Sequence, residues 1–82
     1  MSTLRYWAAA RAAAGTAADE LDAATLSQAL VLAVDRHGSA LAEVLAVCSF
    51  VVDGDPVGGR DRTGVALGDG SLVDVLPPFA GG

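Results

Sequence analysis

One helix constrains this chain more than any other feature. Thr25-x-x-Gln28 reads as a capping box, in which a threonine hydroxyl and a glutamine amide satisfy N–H groups at a helix start. Gly38, a residue free to take the left-handed conformation, closes the same segment. Between these signals Leu26, Ala29, Leu30, Ala33, Val34 and His37 recur at helical spacing and form one apolar face. Arg36 suits the negative pole of the helix dipole. A helix with one apolar face must lay it on another layer, and the strand-like segments on either side supply a sheet.

Residues 3–8 alternate, with Leu4, Tyr6 and Ala8 on one side and Arg5 and Trp7 on the other. The alanine-rich stretch 9–14 favours helix but is too short to stand alone, and Gly15 ends it. Residues 16–21 predict a weak second strand whose Asp19 and Glu20, with Asp22 beyond, mark an edge kept soluble by charge. After the main helix, Ser39 caps a shorter one with Leu41, Val44, Leu45 and Cys48 on one face. Residues 49–52 predict a central strand, Asp53-Gly54 a turn, and Val57 the start of a short following strand. Residues 58–64 form an exposed loop, and 65–67 a short strand or a tight turn. Asp69-Gly70 turns the chain into a last strand, 72–76, which stops at Pro77 and Pro78 because neither has an N–H to give a sheet. Two strands, a helix and then further strands make an α+β domain.

Eighty-two residues leave room for one domain, 1–82. A core this small leaves apolar surface over, and 52% hydrophobic residues point to a patch kept for a partner, although much of that count is alanine. The net charge of −5 argues against nucleic acid, which needs clustered cations. All five basic residues are arginines, so no lysine side chain can receive an isopeptide bond and self-linked polymers are excluded. No apolar run reaches the roughly 18 residues of a membrane span, and no signal-peptide pattern opens the chain. With the single Cys48, which cannot form an internal disulfide, this gives a cytoplasmic expectation without membrane association.

The side chains offer no active site. One histidine and one cysteine cannot assemble a metal cluster or a nucleophile pair with any redundancy, so His37 reads as a helix-end residue and Cys48 as core. Gly58-Gly59 before Arg60 lacks the Lys-Ser/Thr of a phosphate loop. What stays reactive is the terminal carboxylate of Gly82. With no Cβ on Gly81 or Gly82, the tail 79–82 adds little to the fold, is expected to be flexible, and can thread a channel closed to branched chains. Taken alone, Gly-Gly reads first as a frayed terminus, a domain cut-point or a cloning scar.

The whole pattern is more specific than its parts. D-G-x-x-V-D-V-L-P-P-F-A-G-G over residues 69–82, R-Y-W-A-A-A-R-A-A-A-G over 5–15 and V-V-D-G-D-P-V over 51–57 stand in order across nearly the full chain. Together they resemble the small subunit of molybdopterin synthase, in the family of ubiquitin-like sulfur carriers. The resemblance implies a β-grasp fold, a mixed sheet packed against one main helix with the first and last strands side by side and parallel. It implies that Gly82 is adenylated with ATP by an E1-like adenylyltransferase and converted with a sulfurtransferase to a thiocarboxylate. That group would donate sulfur to cyclic pyranopterin monophosphate held by a large synthase subunit, in a heterotetramer. The chain would then be a protein co-substrate rather than an enzyme, with no stably bound cofactor. Carriers for thiazole or cysteine synthesis share the mechanism, and a ubiquitin-like module with an inert tail is the alternative from another class. Ser71-Leu72 and Asp74 depart from the family's usual residues; the tail does not.

Alternation puts Trp7 and Leu76 on one face if the end strands are neighbours, and the resemblance adds Val57 as a third member of a partner-facing patch. Pro77, Pro78, Phe79 and Ala80 would continue that contact toward Gly81 and Gly82. A core tryptophan is the competing expectation for Trp7.

Overall fold

The computed structural model describes residues 1–78. In chain order the elements are β1 (Ser2–Tyr6), α1 (Ala8–Ala14), β2 (Ala18–Leu21), α2 (Leu26–His37), α3 (Ser39–Leu45), β3 (Ser49–Val52), β4 (Asp55–Pro56), a 3-10 turn (Arg62–Gly64) and β5 (Leu72–Leu76). The strands form one sheet in the order β2-β1-β5-β3-β4. β5 lies in the middle, parallel to β1 and antiparallel to β3. Its register sets Val73 beside Leu4 and Val52, and Val75 beside Tyr6 and Phe50. All six are buried and make the floor of the core. Leu26, Ala29, Leu30 and Ala33 of α2, with Leu41 and Leu45 of α3, complete it. This is the β-grasp, ubiquitin-like arrangement, with the other face of the sheet left open.

The main helix forms for the reasons its sequence gives. Thr25 Oγ1 accepts from Gln28 N at 3.2 Å, while the Gln28 amide oxygen accepts from Ala24 N at 2.7 Å, one residue before the cap. Gly38 ends α2 with its N–H on Val34 O, at φ 100° and ψ −173°. That extended, positive-φ geometry is almost exclusive to glycine and differs from the left-handed stop expected. It lets Gly38 close α2 and open α3 at once, so Gly38, not Ser39, is the cap residue of the second helix.

Three further expectations are corrected. β1 stops at Tyr6, and Ala8 leaves the strand face to start α1 at φ 50°, because the AAARAAA run prefers helix. Asp19 does not solubilise the β2 edge; it points inward and is 9% exposed, while Glu20 and Asp22 stay outside. Val65 and Leu67 are held by a single bridge, Thr25 to Ala66, which replaces a strand or tight turn. Asp53-Gly54 turns as expected, with positive φ at both residues, 51° and 83°, the backbone of a two-residue hairpin.

Candidate partner-binding face and tail exit

β5 carries the chain through the middle of the sheet to Leu76, and Pro77 and Pro78 follow, exposed. The expectations for Phe79, Ala80, Gly81 and Gly82 fall outside the described residues. The site that can be built is therefore the open sheet face leading to that exit. Strand alternation places Thr3 and Arg5 of β1, Leu72, Asp74 and Leu76 of β5, and Ser49 and Val51 of β3 on it. None of these is fully buried.

Trp7 joins this face. It is 42% exposed, the backbone N–H donates to Val75 O at 3.1 Å, and the indole Nε1 donates to Asp74 Oδ1 at 2.9 Å. Arg5 lies between the two, donating from Nε and Nη2 to the two Asp74 oxygens at 2.6 and 3.2 Å. Its guanidinium carbon sits 5.2 Å from the Trp7 ring centroid, a cation–π contact. The Arg5 hydrogen bond, opposed by partial burial and helped by Trp7, holds the Asp74 carboxyl below its ordinary range. Leu76, half-buried, follows on the same strand and face, while Val73 and Val75 point to the core.

Val57 does not belong there. It is 3% exposed, donates its N–H to Phe50 O at 2.9 Å, and packs in the core. β4 lasts only two residues, but its register with β3, Val51 beside Pro56 and Val52 beside Asp55, carries on to set Val57 opposite the buried Phe50, so the open-face place that the resemblance implied is corrected to a core one.

The sequence gives no warning of two clusters. One is the Arg5–Asp74–Trp7 group, whose signal lies in the parallel register that sets Arg5 opposite Asp74. The other surrounds Asp19, which accepts from Tyr6 OH at 2.7 Å, from Arg36 Nη1 at 3.0 Å and from His37 Nε2. Burial pushes the Asp19 carboxyl up, but the Tyr6, His37 and Arg36 hydrogen bonds outweigh it and hold the group below its ordinary value. Burial and the same carboxylate raise the Tyr6 phenol. The cluster joins β1 and β2 to the end of α2, with Tyr6 and Asp19 buried and Arg36 reaching the surface. Burial also raises the half-buried Cys48 thiol, against the pull of Arg62, which leaves it a poor nucleophile. Among the described residues, no three His, Cys, Asp or Glu side chains are grouped to hold a metal, and no helix is long and apolar enough to cross a membrane.

Comparison with known proteins bears on this geometry. The model of the ThiS family matches residues 4–82. No curated protein sequence matches significantly. Among solved structures, small archaeal modifier protein 1 from Methanosarcina acetivorans superposes with a TM-score of 0.83 at 21% identity, covering 99% of this chain and 95% of that one. A chain of the Amycolatopsis orientalis BexX/CysO complex gives 0.80 at 20% identity, covering 100% of both. A chain of the complex of subunits 1 and 2 of the molybdopterin-converting factor from Helicobacter pylori gives 0.66 at 22%, covering 99% of this chain and 97% of that one. At these identities the likeness is one of fold.

Proposed function

This chain belongs to the ThiS family, and from that premise we propose that it carries sulfur on the C-terminal carboxylate of Gly82 for the synthesis of molybdopterin. The observation that carries the reading is the extent of the family match, which runs past the Pro77-Pro78 stop and through Gly82. A carboxylate resists attack, so an E1-like adenylyltransferase joins Gly82 to AMP from ATP, releasing pyrophosphate. A sulfurtransferase then supplies sulfur at the sulfide level, which displaces AMP and leaves a thiocarboxylate. That sulfur attacks the cyclic pyranopterin monophosphate held by the large synthase subunit, a carbon–oxygen bond of the pterin precursor breaks as the carbon–sulfur bond forms, and water cleaves the resulting acyl–sulfur bond, returning the carboxylate. The chain acts as co-substrate, and its own side chains bind rather than catalyse. Trp7, Leu76, Pro77 and Pro78 lead the partner to the tail, and Phe79, Ala80 and Gly81 pass through its channel. Similarity to a chain from a two-subunit molybdopterin-converting complex supports a partner of this kind.

A second reading keeps the carrier chemistry and changes the acceptor to a thiazole or cysteine precursor, because membership of the ThiS family supports these equally. Loaded carrier offered in parallel to a molybdopterin, a thiazole and a cysteine-forming system separates these acceptors.

The decisive test extends the chain by one residue after Gly82. The extension locks the reactive carboxylate into a peptide bond and leaves the core untouched. With adenylyltransferase, ATP, a sulfur source and the large subunit, the parent gains the mass of a sulfur-for-oxygen exchange and yields molybdopterin, and the extended chain does neither. Gly81→Val retains the carboxylate but hinders passage through a narrow channel. Full product from the extended chain would overturn the carrier reading in favour of a ubiquitin-like module with an inert tail.

A further inference from the structure

The open face carries a positioning device around its aromatic residue. Trp7 sits at the junction of β1 and α1, as the N-cap residue of α1 with no side-chain cap hydrogen bond. Two features set its course here. Ala8, the next residue, holds φ 50°, a conformation that non-glycine residues adopt at a cost and that turns the chain away from the strand direction. The Trp7 indole N–H is then tied to Asp74, whose other hydrogen bonds go to the Arg5 guanidinium stacked on the same ring.

Charge alone does not explain this arrangement. The Arg5–Asp74 pair is substantially exposed, with side chains 45% and 20% accessible, and exposed pairs add little to stability. Its effect falls on the ring instead. A free tryptophan at a strand end samples several rotamers, and a partner that needs one must first select it. Here the rotamer is already selected in the unbound protein.

Building on the function proposed above, we infer that Asp74 is a positioning residue: with Arg5 it presents Trp7 to the partner subunit as a preorganised anchor beside the tail exit. Asp74 itself need not touch the partner, since both its oxygens are engaged within the chain. The device also sets a requirement on the partner. Its surface must offer an apolar slot for the indole and leave the neutralised Arg5–Asp74 pair undisturbed, since a competing cation or carboxylate there would break it.

The chain has a single tryptophan, so its indole N–H gives one unambiguous signal in a nitrogen-correlated NMR spectrum. Asp74→Ala and Asp74→Asn are made in the full chain, and Asp74→Ala also in the Trp7→Ala background. Affinity is measured for the purified large subunit of molybdopterin synthase from the same organism. In the free protein, Asp74→Ala should speed exchange of the indole N–H with water and leave the backbone spectrum folded. Partner affinity should weaken about fivefold, the loss expected for one freed side chain. Asp74→Asn keeps an oxygen acceptor for Nε1 and should recover part of both. In the Trp7→Ala background, Asp74→Ala should change affinity by less than about twofold, because its action runs through the ring. An equal loss in both backgrounds, or unchanged indole exchange in Asp74→Ala, overturns the inference, as does full affinity in Trp7→Ala. The carrier reading fails by a different result, absence of thiocarboxylate on Gly82, which none of these substitutions touches.

Discussion

Removing the Asp19 carboxylate should be among the most damaging single changes this fold can receive. Asp19→Ala leaves the Tyr6 hydroxyl, on a residue 1% exposed, with no acceptor, which costs about 1–3 kcal/mol. His37, whose side chain is 15% exposed, loses its partner as well, adding about 1 kcal/mol. Arg36, half exposed, contributes at most about 1 kcal/mol. Relief of the burial penalty on the carboxylate offsets part of the sum, so a net loss of about 3 kcal/mol is expected. A domain of this size has about 4–12 kcal/mol in total. The melting temperature should therefore fall by about 12–24 °C. Circular dichroism melts and urea titrations measure it. Asp19→Asn, which keeps an acceptor without the charge, should lie between, and Tyr6→Phe combined with Asp19→Ala should cost less than the sum of the two.

The same group gives a pH signature. Its folded pKa lies below the ordinary value of 3.8, so the unfolded chain binds the proton more readily. The stability Asp19 supplies is thus complete above that ordinary value and is lost as pH falls through the folded pKa. Asp19→Asn should flatten this part of the acid limb. An Asp19→Ala variant within about 1 kcal/mol of the parent, at neutral pH, would refute the account of the cluster as a structural tie.

Trp7→Ala should leave the melting temperature within a few degrees, since the ring is 42% exposed, yet weaken partner binding by about 2 kcal/mol in calorimetry. Val57→Ala should do the reverse, lowering urea stability by about 1–2.5 kcal/mol through a core cavity while partner affinity at folding-permissive temperature is unchanged. Gly38→Ala should cost about 1–3 kcal/mol by thermal melt. The added methyl meets nothing within 4 Å, so the loss there is wholly one of backbone conformation.

Legibility in this sequence tracks the range of the interactions. Thr25, Gln28 and Gly38 act within one or two turns of their own helix, so the boundaries of α2 can be read from neighbours alone. Alternation likewise placed Trp7 opposite Tyr6 and Leu76 opposite Val75, because a strand repeats every two residues whatever it pairs with. Asp19 defeats the same logic. A carboxylate on an edge strand reads as solvated unless one knows that Tyr6, Arg36 and His37, all 13 or more residues away in the chain, converge on it. Val57 fails for a different reason, since the resemblance alone put it on the open face, whereas the pairing of β3 with β4 carries it opposite Phe50 to the core side.

The open face shows both regimes in one place. Which residues lie on it follows from local periodicity in β1 and β5, and this much the chain declares. How they bind one another follows from the parallel pairing of strands at opposite ends of the sequence, which sets Arg5 against Asp74. A net-charge argument counts that pair as two ordinary surface ions. In the fold they neutralise each other and hold an indole, so the face leading to the tail presents an aromatic ring on a neutral ground while most of the acidic charge lies elsewhere. Glu20 stands toward one edge of the sheet and Asp53 toward the other. A partner with an apolar centre and a basic rim therefore matches both the middle of the face and its margins, and raising the salt concentration should slow its association more than it speeds its release.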